Sequence, residues 1–223
     1  MINRQAYFNT IRRSLFIGRL GSRQTAGMTA ILDRFEAGPE PLDRRQLAYA
    51  LATAHHETAR TFQPIRERGG AEYLRNNYDI TGNRPQLARA NGNLEPGDGI
   101  RYSGRGFVQL TWKNNYRLAG EKLGIDLVTN PDRALDLTVA TDILIRGMRE
   151  GWFTGKTLLD YFNTTDTDWI NARRIINGVD MARTIASYAR IYFDALGQEA
   201  APVTLSDAAL PPAAAPRSRR RSP

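Results

Sequence analysis

The sequence predicts a mainly α fold with minimal β structure. Apolar residues recur at helical spacing in several stretches, clusters of Gly, Pro and Asn separate those stretches, and only Phe107 to Trp112 suggests an extended run. With 223 residues, 41% hydrophobic and 24% charged, the chain is long enough for one cored domain of ordinary globular composition. The domain is expected over residues 1–197, and a tail over 198–223.

From about residue 6 to 36, Phe8, Ile11 and Phe16, then Met28, Ile31, Leu32 and Phe35, form apolar clusters parted by Gly18 and Gly21. Two short helices are expected there. Leu47, Ala50, Leu51 and Ala54 fall at i, i+3, i+4 and i+7, and Glu57 continues their face. Asp43 with Gln46 three residues on resembles a capping box, so this helix is expected from about Asp43 to about Arg60. It ends before Pro64, whose ring disfavours helical geometry in the residue before it. Glu67 then falls in a loop or short strand.

Residues 69–101 are rich in Gly, Asn and Pro and read as surface loop. The extended segment at 107–112 leads into a helix near Asn114 to Leu123. Asn130-Pro131 is a helix start with proline at the first helical position, and Ala140, Leu144 and Met148 give the next stripe. Ile185, Tyr188, Ala189, Tyr192, Phe193 and Leu196 make the clearest helix, closed by Gly197. From Gln198 the composition turns to Ala, Pro and Ser and ends in Arg-rich sequence, which predicts disorder.

The formal charge is +8, and apart from Lys113, Lys122 and Lys156 the basic residues are all arginine. In the tail, the charges of Arg217, Arg219, Arg220 and Arg221 are balanced in number only by Glu199 and Asp207, so most of the excess belongs to the folded part. An anionic partner or surface is implied, although nucleic acid, membrane and acidic wall polymer meet the same requirement. There are no cysteines, which excludes disulfides and thiol chemistry. No stretch has the apolar length of a signal peptide or a membrane span, so synthesis in the cytoplasm and no stable membrane insertion are expected.

Chemistry points to Glu57 and Glu67. A carboxylate carried by a helix to the edge of an apolar core is partly desolvated and can hold a proton near neutrality, while a more solvated partner stays ionised. Such a pair suits acid/base hydrolysis. His56-Glu57 fails as a zinc-protease motif, because position 60 is Arg rather than the second histidine. No metal or cofactor is expected. Gly104-Arg105-Gly106 lacks the later residues of nucleotide-binding loops and reads as a tight backbone approach.

Five segments become recognisable together: Ala54-His55-His56-Glu57-Thr58-Ala59, Arg66-Glu67, Tyr102 through Tyr116, Asn130-Pro131-Asp132, and Ile175-Ile176-Asn177-Gly178. In that order they resemble the signature segments of glycoside hydrolase family 19, over roughly residues 45 to 197. That family includes plant-type chitinases and lysozyme-like endolysins. The resemblance implies a lysozyme-like, two-lobed helical domain with a central cleft. It places the general acid on Glu57 and the general base on Glu67, with Glu72 a competitor for the base. Inversion by such a pair needs a separation of roughly 6.5 to 9.5 Å, leaving room for a water.

The family's water-holding serine corresponds here to Thr111. Gln109 and Asn115 match sugar-binding positions, and Asn177 matches one that binds substrate and orients the water. Tyr102 and Trp112 are expected to stack on sugar faces, and Arg105 and Arg183 to hold the charges of the cleft. His56 is placed with the binding set, although both histidines also read as core packing or as a hydrogen bond that positions the glutamate. Gln109, Thr111 and Asn115 also read as groups that satisfy the backbone.

Plant members carry disulfides and a longer insertion between the two carboxylates, whereas nine residues intervene here. The chain therefore looks more like the endolysin branch, acting as a monomer on peptidoglycan after release by a separate holin-type partner. A chitinase is the alternative enzyme, and a non-catalytic wall-sugar module is the alternative class. A nucleic-acid binder lacks a recognised motif.

Overall fold

The computed structural model describes residues 1–38 and 43–197, so the expected tail lies outside the described residues. Helices dominate, as the sequence predicts, and the only paired strands among the described residues form one two-stranded sheet. Helices α1 (Arg4–Ser14) and α2 (Ser22–Glu36) are the expected short pair. Helix α3 (Arg44–Glu57) follows, with every residue from Gln46 to His55 buried. Four alanines among those ten let neighbouring helices approach it from all sides. It packs against α2 and, later in the chain, against α8 (Leu137–Glu150) and α9 (Ala182–Leu196). A helix enclosed all round is the core of its domain.

The start of α3 differs in detail from the capping box. Asp43 Oδ1 accepts from the Arg45 amide at 2.9 Å, while Gln46 is buried and donates to the Phe162 carbonyl at 3.1 Å. Its end comes three residues earlier than expected. Ala59, Arg60 and Phe62 take left-handed backbone angles (φ 49°, 71° and 51°), which no helix can accommodate. Thr58 closes the turn, its hydroxyl donating to the Ala54 carbonyl at 2.7 Å and accepting from the Phe62 amide at 3.0 Å.

The second lobe begins with strand β1 (Ile65–Arg66), antiparallel to β2 (Arg105–Gly106), with Ile65 opposite Gly106 and Arg66 opposite Arg105. Two arginines facing each other repel, and Asp132 offsets this by pairing with both. Between the strands the expected loop is instead three short helices, α4 (Ala71–Tyr78), α5 (Pro85–Ala90) and α6 (Asp98–Arg101). They are too short to show a periodicity, and side-chain hydrogen bonds to the backbone organise them. The expected extended run at 107–112 is also corrected: Arg105 and Leu110 exchange backbone hydrogen bonds around a turn, in which Gln109 has φ 53°. Helix α7 (Lys113–Leu123) follows. Pro131 opens a 3-10 turn to Leu135, and α8 begins only at Leu137.

Helix α9 buries Ile185, Ala189, Tyr192 and Leu196 as expected, but Phe193 is exposed and lies over Trp169. Among the described residues no helix is long and apolar enough to cross a membrane.

Gly27 of α2 lies so close to the chain after α3 that an added Cβ would sit 1.9 Å from the Phe62 carbonyl oxygen. Gly27→Ala should cost about 1–3 kcal/mol through forced backbone displacement, read from urea unfolding midpoints at unchanged slope. Asp79, buried at the end of α4, accepts from the Thr81 amide and hydroxyl and from the amides of Gly97 and Gly99, all within 3.0 Å. Burial would raise its pKa, but those hydrogen bonds outweigh it and hold the carboxyl below its ordinary value. The ionised form therefore stabilises the fold above the unfolded-state value near 3.9, and this contribution is lost as pH falls through the lower folded value. Asp79→Asn should cost about 2 kcal/mol at pH 7, and the gap from wild type should close on acidification below about pH 4.

Candidate active site

Glu57 is the last residue of α3, and a helix C-terminus is unfavourable for an anion because the macrodipole is negative there. The neighbouring His55 does not compensate. Burial, then Arg60 and His56, push its pKa down to about 4, so it is neutral at neutral pH, stacked on Tyr188 with its Nδ1 2.8 Å from the Tyr192 hydroxyl. The compensating charge is Arg173, from a 3-10 turn at Asn171–Ile175. Its Nη1 donates to Glu57 Oε1 at 2.7 Å, and its Nε donates to the Asp180 carbonyl at 3.2 Å. The side chains are 15% and 6% exposed, so water screens this pair little. Glu57 Oε2 accepts no hydrogen bond from the described residues.

Glu67 is held differently. Its amide donates to the Gly104 carbonyl at 2.8 Å, and the Gly104 amide donates back to its Oε2 at 3.0 Å. The Tyr78 hydroxyl donates to Oε1 at 2.7 Å. Burial, and then that hydrogen bond, push the Tyr78 pKa up, which keeps the hydroxyl a donor. The tight backbone approach read from Gly104-Arg105-Gly106 is present. A Cβ at Gly104 would lie 2.9 Å from Gln109 Oε1 and 3.0 Å from Glu67 Oε2, and Gly106 has φ 85°.

Both glutamates line one cleft of about 870 Å³. Tyr78, Asn91 and residues 108–112 and 115 line it from the smaller lobe, and residues 153, 154, 156, 173, 174 and 176–178 line it from the helical lobe. Gln109, Thr111, Trp112, Asn115 and Asn177 are therefore brought together as the sequence expects. Three of them also serve the backbone. Gln109 Nε2 donates to the carbonyls of Ile65 and Gly106, Thr111 Oγ1 to that of Gln109, and Asn115 Nδ2 to that of Thr111. The Trp112 ring stands edge-on to Tyr78 at 5.1 Å.

Other expectations are corrected. Tyr102 is 2% exposed, beneath the cleft segment, with its hydroxyl on the Val128 carbonyl, so it presents no face to a sugar. Arg105 is buried against Asp132, the carbonyls of Arg101 and Ser103 and the Tyr116 hydroxyl, where it staples the loop that carries Gly104. Arg183 is exposed on α9 outside the cleft, and Arg173 occupies the role foreseen for it. His56 and Glu72 do not line the cleft either, which leaves Glu67 as the second carboxylate there. Residues that sequence reasoning missed are Tyr78, Asn91, Phe153, Lys156, Arg173 and Arg174. The need for a cation at the end of α3 was readable, but not which arginine would supply it.

A family model described as chitinase class I, glycoside hydrolase family 19, matches residues 29–157. Endochitinase 1 of Theobroma cacao is 31% identical over 124 residues, 52% of this chain and 34% of the relative. Basic endochitinase B of Arabidopsis thaliana is 46% identical over 55 residues, 25% of this chain and 15% of the relative. The matched segments thus span about a third or less of these relatives. Chitinase C from Streptomyces griseus HUT6037 has the same fold, with a TM-score of 0.59 at 23% identity over 88% of this chain and 92% of that one. Because the family model covers more than half of the chain, including both carboxylates and Thr111, the chain belongs to glycoside hydrolase family 19.

Proposed function

We propose that the protein is an endolysin-type glycoside hydrolase that cleaves β-1,4 bonds in the amino-sugar strands of peptidoglycan by inversion. The carrying observation is that two carboxylates share one cleft yet are held in opposite ways. Glu67, the base in this reading, accepts on both oxygens from neutral donors, which fix the orientation of the carboxylate in the cleft. Glu57 acts as the acid in its protonated form; Arg173 engages only Oε1, which leaves Oε2 as the oxygen that carries the proton to the leaving glycosidic oxygen. Thr111, with its hydroxyl in the cleft, holds the attacking water, and Asn177 orients it from the other lobe. Gln109, Asn115 and Trp112 bind the sugars.

Identity alone does not decide for an enzyme. A relative named Inactive chitinase-like protein 1, from Hevea brasiliensis, matches 55 residues at the same 46% as the Arabidopsis endochitinase. Retention of Glu57 and Glu67 in one cleft favours catalysis over a sugar-binding module. The preference for peptidoglycan over chitin rests on the nine-residue connector between the carboxylates and on the +8 charge, which suits an anionic wall. Access to the wall would follow release by a separate holin-type partner. A chitinase is the second reading, favoured by the names of the relatives.

Wild-type protein should clear suspensions of permeabilised bacteria, and Glu57→Gln should slow clearing by about 10²–10⁴-fold, the usual worth of a general acid. Undiminished lysis by that variant would remove Glu57 from the chemistry. Tyr78→Phe should lower kcat about tenfold while changing KM little, since it removes one charge-assisted hydrogen bond to the base and keeps the ring that lines the cleft. Steady-state kinetics on a soluble wall fragment would measure both constants.

A further inference from the structure

The cleft holds two cations that neither carboxylate uses. Lys156 and Arg174 both line it and are both exposed. Among the described residues neither forms an ion pair, in contrast to Arg173, which is taken up by Glu57, and to Arg66 and Arg105, which share Asp132. Arg174 is engaged only through Nε, at 3.5 Å from Asn171 Oδ1, so both terminal nitrogens remain available. One side chain joins the two residues. The Thr154 hydroxyl donates to the carbonyls of Arg174 (2.6 Å) and Ile175 (3.1 Å) and accepts from the Lys156 amide at 3.3 Å. Gly151 and Gly155, at φ 74° and 80°, make the turn that allows this. The two cations are thus set on one stretch of wall, and Arg174 is next in sequence to the arginine that holds Glu57.

We propose that Lys156 and Arg174 form a carboxylate-reading subsite, which selects amino-sugar strands bearing acidic groups over neutral ones. This rests on the hydrolase reading above and deepens it. An arginine fork meets a carboxylate through two parallel hydrogen bonds, and a lysine adds a mobile point charge. A fully acetylated neutral glycan offers them neither. On a peptidoglycan strand the carboxylate is either the lactyl group on the sugar ring, where no peptide is attached, or one carried by the peptide stem.

The test compares kcat/KM of the full chain on purified peptidoglycan, on the same material with its carboxyls amidated, on strands stripped of stems by an amidase, and on neutral chitin oligomers. Amidation should lower the wild-type value about tenfold, the worth of two partly exposed ion pairs. For Lys156→Gln/Arg174→Gln the ratio between native and amidated wall should fall to within about twofold of one, and Lys156→Arg/Arg174→Lys should restore it. Melting temperatures establish that both double variants are folded. Both results on stripped strands support the subsite: retained preference assigns the lactyl carboxylate, and lost preference assigns the stem. Turnover of native wall with the same ratio in wild type and the Gln variant overturns the subsite alone. Turnover of chitin oligomers but of no peptidoglycan overturns the proposed substrate with it.

Discussion

Glu57 stands where an anion is least welcome, at the negative end of a helix whose preceding residues are enclosed on every side. Because α3 is the core, its end cannot turn toward solvent to relieve the charge. The relief comes from Arg173, 116 residues away, and much else is arranged to deliver it. The guanidinium is itself buried, so removing either partner would leave the other charged in a poorly hydrated place, which costs more than the pair gains. The 3-10 turn at 171–175 is thereby tied to the end of the core helix. With it come Arg174, Asn177 and the rest of that wall of the cleft.

The second carboxylate sits in a different framework. Glu67 follows a two-residue strand, and its position depends on hydrogen bonds to Gly104 and Tyr78. Gly104 can come that close only without a side chain, and Arg105 next to it is locked by two carbonyls, Tyr116 and Asp132. The 3-10 turn that carries Asp132 leads into α8, which packs on α3, so the smaller lobe is anchored to the same core. An ion pair positions one carboxylate and a neutral hydrogen-bond cage the other. The two identical side chains therefore sit in different electrical surroundings, one against a guanidinium and the other among neutral donors.

How much of this was legible depended on whether the physics was local. The helical stripes of α3 and α9 are repeating burial patterns within one segment, and they were readable, as was the cleft set of Gln109, Thr111, Asn115 and Asn177 through their resemblance. The region 69–101 was read as loop because helices of four to eight residues lack a period, and because Asp79, through the Gly99 amide, and Asp98, through Lys113, hold them by contacts 15 to 20 residues apart. Tyr102 and Arg105 misled for a related reason. An aromatic and an arginine in a site-like segment were assigned to the ligand, whereas they support the segment from below. Pairing partners such as Arg173 for Glu57 and Tyr78 for Glu67 depend on tertiary proximity, which no single stretch of sequence encodes.

The nine residues between the carboxylates gain a structural meaning from this. A connector that short must leave the core helix at once, reverse, and reach the other lobe. Three left-handed non-glycine residues within four positions do so, at a typical cost of about 1–3 kcal/mol each. Such backbone persists only where surroundings enforce it, and α2 supplies them: Gln24 donates to the Arg60 carbonyl, Gln63 donates to the Arg23 carbonyl, and Gly27 lies against Phe62. The link is therefore built as tightly as the helix before it. The relative placement of Glu57 and Glu67 is set by a strained, braced turn rather than by a flexible loop. Inserted residues there would loosen the relative placement of the two carboxylates.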